Sequence, residues 1–191
     1  MKRLLTTLML LTLYGCASQA TRVKSAPCPG DTLLPKQLAG DFVPAEDKTL
    51  LHAALGPTGK GGLCQGRVYQ NRASADIVLY RAWNSTNPNS RLGHWWAFSQ
   101  PAGAVSRYRA DYEICYQWSP LDRLVRCHLK PGVKLVIGPG QSTVCSDYLS
   151  YPASAAKQIY IEDAATQVLD CVTYEGEFAW KALKASSSAT E

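Results

Sequence analysis

The sequence predicts one α+β domain with a mainly antiparallel sheet, and three observations carry that expectation. The chain has 191 residues, within the roughly 100–200 that one domain takes. Short apolar runs and two-residue alternations bounded by Gly, Pro and Asn outnumber helical patterns, about six or seven strands against two or three helices. Seven cysteines, one of them beside an apolar leader, leave an even six that can staple such a fold. Disorder is excluded by 46% hydrophobic residues, 18% charged residues, five Trp and ten Tyr. No apolar run reaches the roughly 18–20 residues of a membrane-spanning helix. The net charge is +5, with Lys2 and Arg3 in the leader and no basic block elsewhere, so no nucleic-acid partner is expected.

The elements follow in order. Residues 1–15 read as a signal peptide, with Lys2 and Arg3 ahead of the apolar stretch Leu4 to Leu13. Leu13-Tyr14-Gly15-Cys16 resembles the lipobox of bacterial lipoproteins. That resemblance implies cleavage before Cys16, acylation of its thiol and amine, and palmitate among the attached chains. The expected partner is then a membrane, reached through a lipid anchor. Ala17 rather than Asp after the cysteine points to the outer membrane of a Gram-negative cell envelope. An ordinary cleaved signal is the alternative, and both export the domain to the periplasm or beyond. Residues 16–43, rich in Ser, Thr, Pro and Gly, read as the acylated Cys and a flexible tether. The single domain is then expected over 44–184, with a disordered tail at 185–191.

Pro44 to Leu55 predicts a helix stopped by Gly56-Pro57, with Leu51, Ala54 and Leu55 on one face. Strands are predicted at Arg67 to Gln70, Asp76 to Trp83 and His94 to Ser99, and a helix from Pro101 to Tyr116. Val125, Cys127 and Leu129 alternate with Arg126, His128 and Lys130, a half-buried strand. Pro131-Gly132 then turns into Val133 to Ile137 as its expected hairpin partner. Gly138-Pro-Gly-Gln-Ser142 reads as a loop, Lys157 to Glu162 and Val168 to Tyr174 as strands, and Glu177 to Lys184 as a short helix.

Export makes Cys28, Cys64, Cys115, Cys127, Cys145 and Cys171 disulfide candidates. Of fifteen connectivities, the expected set is Cys28–Cys64, Cys115–Cys127 and Cys145–Cys171. With no Cys-x-x-Cys and with His52, His94 and His128 scattered, no metal site is expected. The Gly-x-Ser-x-Gly, Gly-Lys-Ser/Thr and His-Glu-x-x-His motifs are absent.

Unusual chemistry is densest in residues 80–118. Tyr80-Arg81-Ala82-Trp83 puts a guanidinium in an apolar strand, where it needs an anionic partner. Gly93-His94-Trp95-Trp96-Ala97-Phe98-Ser99 sets aromatics on a second strand. A guanidinium facing such rings suits a dinucleotide, the cation for pyrophosphate and the rings for flat bases. The plainer alternative pairs Arg81 with Glu113 or Asp111 and makes the Trp residues core.

Tyr80-Arg81-Ala82, the Trp-Trp-x-Phe-Ser strand, the Tyr108-Arg109 helix and Ala155-Ala156-Lys157-Gln158-Ile159-Tyr160-Ile161 follow one another in an order similar to that of bacterial toxin-like mono-ADP-ribosyltransferases. The resemblance covers about Val78 to Ile161. It implies that family's split-sheet fold and NAD as substrate or ligand. Arg81 stands in the position of the NAD-binding arginine. Trp95, Trp96 and Ser99 stand along the nicotinamide side, with Ser99 alone preserved where Ser-Thr-Ser is expected. Gln158 stands at the catalytic position, where a carboxylate would stabilise an oxocarbenium-like state and an amide cannot. Glu175-Gly176-Glu177 has the Glu-x-Glu spacing that transferases use, and Glu162 is a further candidate. Two readings result. One is an exported lipoprotein that binds NAD and cleaves its nicotinamide–ribose bond, as a glycohydrolase or transferase. The other is a non-enzymatic outer-membrane lipoprotein that binds an envelope protein.

Overall fold

A computed structural model describes residues 27–176, residue 178 and the backbone of 181–182. The leader, Cys16, Glu177 and the 185–191 tail lie outside the described residues. The strands are Phe42–Pro44 (β1), Arg67–Asn71 (β2), Val78–Trp83 (β3), Trp95–Trp96 (β4), Arg123–Leu129 (β5), Lys134–Pro139 (β6), Thr143–Ser146 (β7), Leu149–Tyr151 (β8), Lys157–Tyr160 (β9), Val168–Glu175 (β10) and Lys181–Ala182 (β11). The helices are Lys48–Ala54 (α1), Val105–Asp111 (α2) and Ala164–Gln167 (α3). One sheet runs β1-β2-β6-β9-β4, a second runs β11-β10-β5-β3, and β7 pairs β8 as a hairpin. Every strand pair is antiparallel, so the α+β, mainly antiparallel class holds.

Burial explains the layering. Leu79, Val125, Cys127 and Leu129 of the second sheet pack with Tyr69, Leu135, Ile137 and Ile159 of the first into one core. On the other face of the first sheet, Val68, Val136 and Tyr160 meet Leu50 and Ala54 of α1. β6 thus buries Leu135 and Ile137 on one side and Val136 on the other. A strand apolar on both faces needs cover on both faces, and only the first sheet offers it. Val133 to Ile137 is therefore not the hairpin partner of β5: β6 pairs with β2 and β9, and β5 with β3 and β10. The sheets touch where Tyr80 and Ala97 exchange two backbone hydrogen bonds of 2.9 Å each.

Five other expectations are corrected. Residues from Cys28 onward belong to the fold rather than to a tether, because Cys28 is bonded to Cys64 and β1 pairs with β2. α1 starts at Lys48, where the Asp47 side chain accepts a hydrogen bond from Leu50 N at 3.0 Å, and Pro44 closes β1 instead. Gly138 and Pro139 end β6 rather than opening a loop, and residues 181–182 form β11 where a helix was expected. The disulfides are Cys28–Cys64, Cys115–Cys145 and Cys127–Cys171, so two of three expected pairings fail. Cys127 points into the core from β5, facing the bulge of β10 between Leu169 and Val172 that holds Cys171. Cys115 lies in the loop after α2 and reaches β7 instead.

Candidate functional site

The junction of the two sheets encloses a cavity of about 340 Å³. β3 contributes Tyr80 to Trp83, β4 contributes Trp95 and Trp96, α2 and the loop after it contribute Tyr108, Tyr112, Glu113 and Trp118, and β9 contributes Gln158. Lys60 adds a second cation from the loop after α1. A volume of this size lies at the small-molecule end of ligand cavities, which run about 300–1,000 Å³.

Arg81 shares one face of β3 with the buried Leu79 and Trp83, yet it is half-buried at the cavity wall. Its Nε donates to Ser90 O at 2.8 Å and its Nη1 to Trp95 O at 2.7 Å. Gly93 leaves the room: a Cβ there would stand 2.6 Å from Arg81 Nη2. Among the described residues Arg81 has no carboxylate partner. Asp111 pairs with Arg107 at 2.9 Å, and Glu113 accepts from Gln158 at 2.5 Å. Burial pulls the Arg81 guanidinium down to about 10, with the Tyr108 hydroxyl opposing. A desolvated cation fixed by neutral carbonyls leaves its charge for an anion in the cavity.

A second buried arginine shows the structural counterpart. Arg109 donates to the carbonyls of Ile114, Cys115 and Ser119 and lies 4.4 Å from the Tyr116 ring centroid. It holds the loop after α2 in shape, whereas Arg81 faces the cavity.

α2 ends in an unusual way, and this sets Glu113. Tyr112 caps the helix, Ile114 N reaches back to Arg109 O at 2.9 Å, and Glu113 between them has φ of 48°. That left-handed position after a helix normally takes Gly. Glu113 is 2% exposed and Gln158 6%. Gly140 on the far side has no side chain, and a Cβ there would overlap both the Glu113 carboxylate and the Gln158 amide. Burial pushes the Glu113 carboxyl up to about 8, against hydrogen bonding from Ser154 and Gln158. Burial likewise raises the Tyr108 and Tyr112 hydroxyls.

Of the sequence-expected residues, Arg81, Trp95, Trp96 and Gln158 converge on this cavity. Ser99 does not line it: β4 ends at Trp96, and Ser99 is exposed and bonds through its side chain to Tyr112. Glu175 and Glu162 are exposed and away from it. The sequence reading missed Glu113 as a site residue, along with Tyr108, Tyr112 and Trp118. Among the described residues no group of three His, Cys, Asp or Glu is placed to hold a metal. No protein-family model matches the chain, and comparisons with curated proteins and with solved structures find no significant match.

Proposed function

We propose that the Arg81 cavity binds NAD and cleaves its nicotinamide–ribose bond, in a domain of ADP-ribosyltransferase-like fold. The observation that carries this reading is the convergence of Arg81, Trp95, Trp96 and Gln158 on one cavity, with the guanidinium lacking a carboxylate partner. Arg81 pairs with a phosphate of the dinucleotide, a contact strengthened by its desolvation. Trp95 lines the cavity on the nicotinamide side, while Trp96, 2% exposed in the core with Nε1 donating to Gly93 O at 2.8 Å, backs that wall. The Gln158 amide orients a ribose hydroxyl as positive charge develops at the anomeric carbon.

The same reading makes the chain an exported lipoprotein, anchored through Cys16 in the outer membrane. Three disulfides support an oxidising compartment. NAD there comes from lysed or target cells. A second reading, partner binding without chemistry, draws on the apolar side chains left outside: Tyr148 is 98% exposed, Val144 62% and Tyr116 61%. They sit on the β7–β8 hairpin and on the loop that Cys115–Cys145 ties to it.

Incubation of the oxidised protein with NAD, followed by chromatography of the products, separates the two. The expected result is time-dependent nicotinamide release that Arg81→Ala abolishes while its melting stays cooperative. NAD left intact by the wild-type protein refutes the cleavage reading and favours the partner reading. Labelling with a palmitate analogue, present in the wild type and lost in Cys16→Ser, tests the anchor.

A further inference from the structure

We propose that Glu113 is the base that activates water for this cleavage, supplying the carboxylate that Gln158 lacks. The inference rests on the NAD reading above and adds the residue that runs its chemistry.

Three features of the molecule support it. Glu113 lines the cavity with Arg81 and Gln158, yet it comes from the end of α2, 45 positions from Gln158. Its Oε2 is held by the Gln158 amide, while Oε1 is buried and makes no hydrogen bond of good geometry. Ser154 also bonds the carboxyl, and a buried acceptor without a well-formed partner is the kind of group that a ligand or a water satisfies. The backbone carries a cost for presenting it. The left-handed φ of 48° falls on a Glu where Gly would sit unstrained, and Gly140 gives up its side chain to admit the carboxylate. Strain of this kind persists where the side chain is used.

The C1′–N1 bond of NAD breaks and its electron pair passes to the pyridinium nitrogen, giving neutral nicotinamide. Water oxygen bonds to C1′, and the ionised Glu113 takes the proton that water loses and passes it to solvent. The Gln158 amide keeps Oε2 in place, so that Oε1 meets the water.

Several groups face Glu113 and set its ionisation. Asp111 and Tyr112 come from its own segment and Ser154 and Gln158 from the β8–β9 stretch, while Arg81 and Lys60 are the cations that share the cavity lining with it. Burial holds the carboxyl protonated in the free protein until about pH 8, so cleavage requires its ionisation.

The test is nicotinamide release by the full chain between pH 5.5 and pH 9.5, roughly the span over which such a group titrates, with NAD affinity measured in parallel by calorimetry. The wild-type kcat/KM is expected to rise with pH through a midpoint near 8 and to level about one pH unit above it. Glu113→Gln keeps the shape and the contact to Gln158. It is expected to lose about 10²- to 10⁴-fold in kcat and to lose the rising limb, with Kd for NAD within about threefold. Glu113→Gly relieves the left-handed backbone, so its folding is not at risk from strain, and it too is expected to lose turnover. Retention of the rate or of the rising limb in Glu113→Gln overturns the proposal. So does loss of NAD binding together with rate, which would make Glu113 a binding residue. Arg81-dependent NAD binding without release at any pH refutes the base and leaves the NAD site standing. Absence of NAD binding refutes the reading beneath both.

Discussion

Gly93→Ala perturbs Arg81 without replacing it. Gly93 has φ of −72° and ψ of −178°, extended backbone that alanine adopts freely, so any effect comes from the added methyl group. That Cβ would lie 2.6 Å from Arg81 Nη2, 3.0 Å from Cζ and 3.3 Å from Nε. Carbon contacts relax near 3.5–4.0 Å, so the guanidinium must retreat by about 1 Å. Its bonds to Ser90 O at 2.8 Å and Trp95 O at 2.7 Å then stretch past the usual hydrogen-bond range. Each is charge-assisted and contributes about 1.5–3 kcal/mol, so loss of one lowers stability by about that much. A drop in Tm of about 5 °C or more follows for a domain of this size. With the cation displaced, NAD affinity should fall about 10- to 100-fold, which is 1.4 kcal/mol or more. Thermal melting and calorimetric NAD titration measure both, with Gly40→Ala as control because a Cβ there meets nothing within 4 Å. Gly93→Ala melting and binding like Gly40→Ala would refute the assignment of Arg81 as a positioned ligand group.

Three further outcomes are expected. Peptide mapping without reduction should recover Cys115–Cys145 and Cys127–Cys171, and replacing the latter pair by Ala should cost about 4 kcal/mol for a loop of that length; a Cys115–Cys127 peptide would contradict the fold. Arg109→Met should cost about 2–4 kcal/mol by stripping three carbonyls of their donor, seen as a lowered Tm; an unchanged Tm would show that the loop does not depend on it. Glu113 ionises near 4.5 when unfolded and near 8 when folded. The folded state therefore binds the extra proton in that window, and stability falls as pH rises through it. Glu113→Gln should flatten the slope and exceed the wild type at pH 9 by about 2–5 kcal/mol; identical slopes in chemical denaturation would refute the burial of that carboxyl.

What the sequence revealed depended on how local the determinant was. The alternation of Val125, Cys127 and Leu129 with Arg126 and His128 is a property of one strand, and β5 has that burial. The run Leu135-Val136-Ile137 equally states that β6 is covered on both faces. A turn at Pro131-Gly132 suggests a hairpin only if that second fact is ignored. The inward Cys127 also argues against bonding to a loop cysteine such as Cys115, but its partner Cys171 depends on a β10 bulge that no periodicity announces. Arg81 drew notice because a cation in an apolar strand requires an explanation. Glu113 was noticed only as a possible partner for Arg81, because a Glu two residues after Asp111 otherwise looks like one more solvated helix charge. Its place in the cavity depends on the helix ending at Tyr112 and on Gly140 leaving space beside it, and both are tertiary facts.

In the proposed site Arg81 is a cation held in readiness for the phosphates of NAD. Titration of NAD into the oxidised wild-type protein and into Arg81→Ala tests it most directly. Saturable one-to-one binding by the wild type, lost in Arg81→Ala with the melting transition still cooperative, is the predicted result. Equal affinity in the two proteins, or no heat of binding in the wild type at NAD concentrations of about 1 mM, the weak end of specific association, would contradict it.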